Sequence, residues 1–230
     1  MFYVKNLSVS YGESRVIEGL DLELKQGEIL SVMGRNGMGK TTLFKSIIGI
    51  LDCGPKSSIE IEGTEIAQMP SYKRVRSGLA YVPQGRMIYP LLSVTDNIRV
   101  GMDQTKTRNV PEYIYELFPV LKEMGKRMGG NLSGGQQQQL AIARALVTDP
   151  KVLLLDEPTE GIQPSIINEM AQALKKIRDM KNISIIVAEQ VLSFALDSSD
   201  RFIVMEGGKM VHSCMRDEVD ADKIKSYLSV

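Results

Sequence analysis

One stretch of the sequence places glycines, a lysine and a hydroxyl at the spacing that binds phosphate. Residues 34–41 read GRNGMGKT and fit the pattern G-x-x-x-x-G-K-[ST]. Glycines let a backbone wrap around phosphate oxygens, and the N–H groups at the start of the following helix add positive potential. We expect Lys40 to reach the β and γ phosphates and the Thr41 hydroxyl to bind Mg²⁺. The stretch predicts a nucleoside triphosphate site formed by Gly34, Arg35, Asn36, Gly37, Met38, Gly39, Lys40, Thr41 and Thr42.

A second stretch ends an apolar run, Val152 to Leu155, with the carboxylates of Asp156 and Glu157. In open α/β sheets the carboxyl ends of the strands face the ligand crevice. Asp156 is therefore expected to hold Mg²⁺, directly or through water, and Glu157 to polarise an attacking water. Beside a phosphate-binding loop, this pair predicts a reactive site rather than a solvated strand end.

The elements that would position these residues alternate between short apolar strands and helices. Glu28–Met33 is a predicted strand that leads into the phosphate loop, and the helix from Thr41 can end at Gly49 or Gly54. Continuous apolar strands alternating with helices indicate an α/β fold with a parallel sheet covered on both faces. The other predicted strands are Tyr3–Ser8, Leu20–Leu24, Ser58–Glu62, Leu79–Val82, Ile183–Val187, Arg201–Met205 and Lys209–His212.

Residues 86–148 differ from the rest because helix signals replace strand signals. Ser93 and Asp96 resemble a capping box, Pro111 begins a helix to Leu117, and another helix follows Gly135. Polar loops are predicted at 103–109 and 125–131. We therefore predict one domain over 1–230, with a core formed by 1–85 and 149–230 and a helical subdomain at 86–148. Further helices are predicted at Lys73–Ser77, Ser165–Ile177, Val191–Leu196 and Asp220–Leu228.

The composition excludes several kinds of site. The only histidine, His212, rules out a multi-histidine metal centre, and Cys53 and Cys214 are too few and too far apart for a structural zinc site. The two cysteines are typical of reduced, cytosolic thiols. With 28 basic and 28 acidic residues, the chain is not expected to bind nucleic acid through a basic face. No stretch is typical of an export signal or a membrane span.

Residues 132–136 read LSGGQ and identify the family. Together with the phosphate loop, the segment Tyr81–Gln84, the helical block and the acidic strand, in that order, they resemble the ABC ATPases over essentially the whole chain. The resemblance implies a P-loop NTPase fold with a RecA-like parallel core, an N-terminal antiparallel β subdomain and an inserted α-helical subdomain. We expect Ser133 to cap a helix whose first amides point at phosphate.

The resemblance also implies roles for individual residues. Two subunits would hold two ATP molecules between them, so that the signature residues Ser133, Gly134, Gly135 and Gln136 serve the nucleotide of the other subunit. Tyr11 matches the aromatic residue that stacks on adenine. Lys40, Gln84 and Glu157 would be catalytic in their own subunit, and Thr41, Gln84 and Asp156 would surround Mg²⁺.

Three departures from the family pattern point to a branch. Gln190 stands at the place of the usual switch histidine, where a neutral amide can hydrogen-bond a γ-phosphate or position water but cannot carry a proton. Gln163 replaces a frequent aspartate, and Gln139 a frequent arginine. These features resemble the ATP-binding subunits of branched-chain amino-acid type importers. Within that branch, 34–37, 133–140, 157–167 and the ending 226–230 resemble the urea-transporter subunit more.

The branch implies ATP and Mg²⁺ as ligands and a defined set of partners. These are a second ABC ATPase subunit in a homo- or heterodimer, two integral membrane permeases and, indirectly, a periplasmic binding protein. The chain would lie on the cytoplasmic face of the membrane as a peripheral subunit. It would power the uptake of urea or a short amide, or of a branched-chain amino acid.

Other classes of protein remain open at this point. A non-transport cytosolic ABC ATPase would lack membrane subunits. A phosphate-loop nucleotide kinase would phosphorylate an acceptor, although LSGGQ and the Gln84 segment favour the ABC interpretation. A DNA-repair ABC ATPase would need a long heptad insertion or zinc cysteines, which this sequence lacks.

Overall fold

The computed structural model describes residues 1–102 and 109–228, in which strands and helices alternate as follows. The strands are β1 (Phe2–Tyr11), β2 (Ser14–Leu24), β3 (Ile29–Met33), β4 (Ser58–Ile61), β5 (Thr64–Glu65), β6 (Leu79–Val82), β7 (Val152–Asp156), β8 (Ser184–Glu189), β9 (Arg201–Glu206) and β10 (Lys209–Met215). The helices are α1 (Lys40–Ile48), α2 (Ser71–Arg76), α3 (Val94–Val100), α4 (Glu112–Leu117), α5 (Pro119–Glu123), α6 (Gly134–Leu146), α7 (Pro164–Lys181), α8 (Leu192–Ser198) and α9 (Ala221–Leu228).

The strands form two sheets in the described part of the chain. An antiparallel sheet has the order β2-β1-β4-β5, and a six-stranded sheet has the order β10-β9-β3-β8-β7-β6. In the larger sheet β3 runs parallel to both β8 and β9, and β7 runs parallel to β6 and β8. The carboxyl ends of β3, β8, β7 and β6 therefore meet at one edge, and the loops that follow them build the site.

Alternating side chains of the parallel sheet divide the core into two layers. Leu153, Leu155 and Val187 face one layer, which also contains the apolar sides of α3 to α7. Leu154 and Ile186 face the other, which contains α1 and the inner face of the antiparallel sheet. Because both faces of these strands are covered, the strands are apolar throughout, and this confirms the predicted α/β fold with a parallel sheet and an antiparallel one.

The helical part of the chain follows β6 and precedes β7. Ser93 caps α3, because its Oγ accepts the Asp96 backbone N–H at 3.0 Å. The predicted polar loop at 103–109 lies, apart from Asn109, outside the described residues. None of the helices that the structure describes is both long enough and apolar enough to span a bilayer.

Several element boundaries differ from the sequence predictions for local reasons. The chain leaves α1 at Gly49, whose φ of 83° suits glycine, so Gly49 rather than Gly54 ends the helix. The helix α5 was not predicted, and Pro119 begins it at a position where its missing N–H costs nothing. The two-residue strand β5 is too short to produce a period of alternation.

Candidate functional site

The phosphate loop connects β3 to α1 and keeps the helix start free. Gly39 occupies the N-cap position with φ of 100°, and no side chain caps the helix. The first backbone N–H groups of α1 therefore lack intrahelical partners and point toward the loop, as anion binding requires. A side chain at Gly34 would not fit, because its Cβ would lie 2.6 Å from the carbonyl oxygen of Met205.

Lys40 is buried at the centre of this loop, with its side chain 3% exposed. Its Nζ donates to the carbonyl oxygens of Gly34 at 2.6 Å and Arg35 at 3.0 Å. It also lies 3.3 Å from Oε1 of Glu157, whose side chain is 7% exposed. Lys40 and Glu157 are 117 positions apart in the sequence (157 minus 40), and both were predicted to be catalytic. The structure brings their side chains into contact.

Asp156 ends β7 beside the phosphate loop and accepts two hydrogen bonds. Its Oδ1 accepts the Thr41 hydroxyl at 3.2 Å, and its Oδ2 accepts the Tyr81 hydroxyl at 3.0 Å. Burial raises the pKa of Asp156 above its ordinary value, although both hydrogen bonds act in the opposite direction. Burial and the nearby Asp156 also raise the pKa of Tyr81, so that Tyr81 stays a hydrogen-bond donor. Tyr81 was not among the predicted site residues.

Glu157 sits in a left-handed backbone conformation, with φ of 47°, which is unusual for a non-glycine residue. Its N–H donates to the carbonyl oxygen of Ala188 at 2.9 Å, which fixes the turn, and Gln84 Nε2 approaches its Oε2 at 3.4 Å. A cleft of about 210 Å³ opens between these groups. It is lined by Asn36, Gly37, Gly39, Lys40, Thr41, Thr42, Gln84 and Glu157.

A buried carboxylate that the sequence analysis did not single out lies at the end of β8. Glu189 is 1% exposed and accepts the Thr159 hydroxyl at 2.7 Å and the Gln190 and Val191 N–H groups at 2.8 and 3.1 Å. Burial raises its pKa despite these bonds. Glu189 therefore fixes the backbone at Gln190 and ties it to the loop that follows β7. The only sequence signal was an acid directly after the mostly apolar run 183–188.

The signature segment begins α6 and lies away from this cleft. Ser133 Oγ accepts the Gln136 N–H, while Gln136 Oε1 accepts the Ser133 N–H, so the predicted cap forms a complete capping box. A Cβ at Gly135 would lie 2.7 Å from Ile166 Cγ2, which explains the glycine. Ser133 is exposed, and among the described residues no signature residue lines the phosphate cleft.

The remaining predicted residues lie at the periphery of the cleft. Tyr11 ends β1 and is 49% exposed, so its ring is available for stacking rather than packed on the core. Gln190 is exposed at the end of β8. Arg35 points away toward the C-terminal helix, where its Nε donates to the Tyr227 carbonyl at 3.2 Å. The sequence placed Arg35 among the phosphate ligands, whereas in the structure its backbone carbonyl contacts Lys40 and its guanidinium contacts α9.

This arrangement combines an anion-binding helix start, a buried lysine and a pair of carboxylates with the fold described above. A sequence profile of the ABC transporter family matches residues 17–160, more than half of the chain. The chain belongs to the ABC transporter ATP-binding family. It is therefore an ATPase, and domains of this family bind ATP or ADP.

Several curated relatives are similar over nearly their whole length. The high-affinity branched-chain amino acid transport ATP-binding protein BraG of Pseudomonas aeruginosa is 36% identical over 214 residues, or 92% of this chain and 91% of BraG. The probable branched-chain amino acid transport ATP-binding protein LivF of Archaeoglobus fulgidus is 32% identical over 95% of this chain and 94% of LivF. The lipopolysaccharide export system ATP-binding protein LptB of Escherichia coli strain K12 is 31% identical over 96% and 93%.

Solved structures share the fold. The protein cbiO1 of Clostridium perfringens, part of the ABC transporter complex cbiONQ, superposes with a TM-score of 0.83 at 27% identity, over 97% of this chain and 92% of cbiO1. A dimeric ATP-binding cassette bound to ADP and Pi also gives a TM-score of 0.83, at 23% identity over 94% and 99%. The similarity to this dimeric cassette supports the fold.

Proposed function

We propose that this chain is the ATP-hydrolysing subunit of an ABC importer for a small polar solute. The observation that supports it best is the buried group of Lys40, Glu157, Thr41 and Asp156 at the carboxyl edge of the sheet. Lys40 neutralises the charge that develops on the γ-phosphate, and Glu157 orients or deprotonates the attacking water. Gln84, whose amide contacts Glu157, positions that water, and Gln190 hydrogen-bonds the γ-phosphate region.

The residues around Thr41 fit a magnesium ion. The Thr41 hydroxyl and the Asp156 carboxylate lie 3.2 Å apart, and both supply the oxygen ligands that Mg²⁺ prefers. No group of three or more acidic, histidine or cysteine side chains in the described residues could hold a metal alone, which suits an ion that phosphate oxygens complete. Thr41 and Asp156, with Gln84 nearby, would hold it, and bound Mg²⁺ would neutralise charge on the phosphates.

The signature segment supports a dimer in which each subunit completes the site of the other. Ser133 is exposed, and in the part of the chain that the structure describes the start of α6 lines no part of its own phosphate cleft. A helix start of this kind can bind an anion. A second subunit, identical or different, would bring its ATP to this helix start. Tyr11 would stack on the adenine, and the segment 86–148 would act as the signature subdomain.

An exposed apolar patch directly after Gln84 supports attachment to permease subunits. Met87, Tyr89, Leu91 and Leu92 are 68%, 47%, 85% and 38% exposed, and exposed clusters of this kind mark protein interfaces. Because the patch continues the Gln84 segment, a change at the nucleotide would reach the permease through this connection. The chain would then lie at the cytoplasmic face of the membrane, bound to two permeases that receive solute from a periplasmic binding protein.

The solute is proposed from two lines of support. The names of BraG and LivF favour branched-chain amino acids. The resemblance of 34–37, 133–140, 157–167 and 226–230 to the urea-transporter subunit favours urea or a short amide. A cytosolic assembly or regulatory module is the alternative of another class.

The test is reconstitution of the chain with its permeases in vesicles that contain ATP, followed by uptake of labelled leucine and labelled urea. We expect the vesicles to take up either leucine or urea. This uptake should be lost when the Lys40→Ala variant is used in place of the wild-type chain. Uptake of leucine alone would remove the urea assignment, and uptake of urea alone the amino-acid one. Failure of the chain to associate with any membrane subunit would overturn the importer and favour the cytosolic module.

A further inference from the structure

Three loops of different motifs meet at the guanidinium of Arg86, which no motif of the sequence analysis includes. Arg86 follows Gln84 by two positions, and its Nη2 donates to the carbonyl oxygen of Glu160 at 2.6 Å. Glu160 in turn follows Glu157 by three positions. One side chain therefore joins the loop that holds Gln84 to the loop that holds Glu157.

The same guanidinium packs on the start of the signature helix. A Cβ built on Gly134 would lie 3.4 and 3.5 Å from the two terminal nitrogens of Arg86, and 3.0 Å from the carbonyl oxygen of Gly161. A Cβ on Gly161 would also lie 3.4 Å from Nη2. The two glycines thus allow the signature segment, the Glu160–Gly161 loop and Arg86 to touch.

The backbone around Arg86 is held in place for this contact. Arg86 and Met87 adopt left-handed conformations, with φ of 66° and 46°, which cost free energy in non-glycine residues. Arg144 of α6 stabilises the pair, because its Nη2 donates to the carbonyl oxygens of Met87 at 2.7 Å and Arg86 at 3.3 Å. The Arg86 guanidinium itself donates to a carbonyl oxygen, that of Glu160, so its positive charge is not paired with a carboxylate there.

We propose that Arg86 is a positioning residue that couples the two nucleotide sites of the dimer. It holds the signature segment, which serves the ATP of the other subunit, at a fixed distance from Gln84 and Glu157, which serve the ATP of its own. When Gln84 and Glu157 bind one ATP, Arg86 would thereby set the position of the signature segment that contacts the second ATP. This inference rests on the proposed dimer.

The test compares Arg86→Ala and Arg86→Lys with wild type in the ATP-hydrolysing assembly. We expect Arg86→Ala to lower kcat about 10-fold, as a small displacement of reacting groups does, and to move the Hill coefficient for ATP toward 1. The Kd of ATP for the separated subunit should stay within about 2-fold, because Arg86 does not line the cleft. Arg86→Lys keeps the charge and the stem without the planar fork, so it should be intermediate.

Lys122→Ala is the matched control, since Lys122 forms an exposed ion pair with Glu112 in the same helical region and should leave every value unchanged. Unchanged kcat and Hill coefficient in Arg86→Ala would overturn the proposal, and so would a Kd that rises by the same factor by which kcat falls. If Arg86→Ala does not fold, the same criteria apply to Arg86→Lys. Failure of the dimer itself would appear separately, as a Glu157→Gln variant that stays monomeric with ATP.

Discussion

The phosphate loop and the signature segment are both helix starts, but they are built in opposite ways. The loop before α1 has no side-chain cap and encloses a buried lysine that pairs with Glu157. The start of α6 satisfies two of its backbone donors with its own capping box and leaves Ser133 exposed. The first gathers its reactive residues within one chain, whereas the second, with Ser133 at the surface, fits the proposed site shared with another subunit.

This difference also separates stability from function. Burying Asp156, Glu157 and Lys40 together removes charges from water, a cost that a phosphate loop tolerates for the sake of catalysis. The signature start contains neutral residues whose hydrogen bonds stabilise the helix. Substitutions at the first site should therefore act mainly on activity, and those at the second on both activity and folding.

The largest expected effect is at Lys40. Lys40→Ala removes the only ammonium among the described residues that line the cleft, so ATP binding should weaken strongly and hydrolysis should fall by at least about 100-fold. Isothermal titration and phosphate release measure the two effects. Unchanged hydrolysis would show that the buried loop is not the reactive site.

A smaller but double effect is expected at Ser133. Ser133→Ala removes the cap of α6 and should lower the free energy of unfolding by about 1 kcal/mol, and it should slow hydrolysis about 10-fold with ATP binding to the separated subunit unchanged. Ser93→Ala is the matched control, because Ser93 caps α3 by the same bond. Equal hydrolysis rates in Ser133→Ala and Ser93→Ala would show that the start of α6, like that of α3, has only a structural role.

Gln190 should have a moderate effect on rate alone. Because Gln190 is exposed and Glu189 fixes its backbone, Gln190→Ala should slow hydrolysis several-fold, on the order of one lost hydrogen bond, while changing the Kd of ATP less. Gln26→Ala, an exposed amide between β2 and β3 at the opposite edge of the sheet, serves as the control. If Gln190→Ala hydrolyses ATP at the same rate as Gln26→Ala, Gln190 has only a structural role.

The smallest effect concerns stability and pH. Burial raises the pKa of Glu189 in the folded state, so the folded protein binds this proton more tightly than the unfolded chain. The contribution of Glu189 to stability is then full below its unfolded pKa and is lost as pH rises through the higher folded pKa, with a slope of up to about 1.4 kcal/mol per pH unit. Glu189→Gln should remove this slope in urea unfolding from pH 4 upward. Parallel curves for the two proteins would contradict the assignment.

The sequence predicts the two helix starts because each is encoded within eight consecutive residues or fewer. The loop 34–41, the acids at 156–157 and the cap at Ser133 all appear where local spacing placed them. The same holds for the α/β fold, since apolar strands and helices alternate with clear periods.

The contacts that the sequence did not reveal join distant parts of the chain. The hydrogen bond from Tyr81 to Asp156 spans 75 positions, that from Arg86 to Glu160 spans 74, and that from Thr159 to Glu189 spans 30. Tyr81 and Glu189 lie in mostly apolar strands. From the sequence alone they therefore look like an ordinary core residue and an ordinary strand-end residue. Only the parallel pairing of β6, β7 and β8 shows that their polar groups meet at one edge.

The most direct test of the account is the oligomeric state of Glu157→Gln with ATP. The variant keeps the fold and the hydrogen-bonding shape of Glu157 but removes the group that activates water. We expect an ATP affinity close to that of wild type, loss of turnover, and a stable closed dimer on size-exclusion chromatography, formed with a second copy or with a different ATPase subunit. Full turnover in this variant, or a monomer at saturating ATP in the presence of every candidate subunit, would contradict the claim that hydrolysis by Glu157 opens a dimer completed by the signature segment.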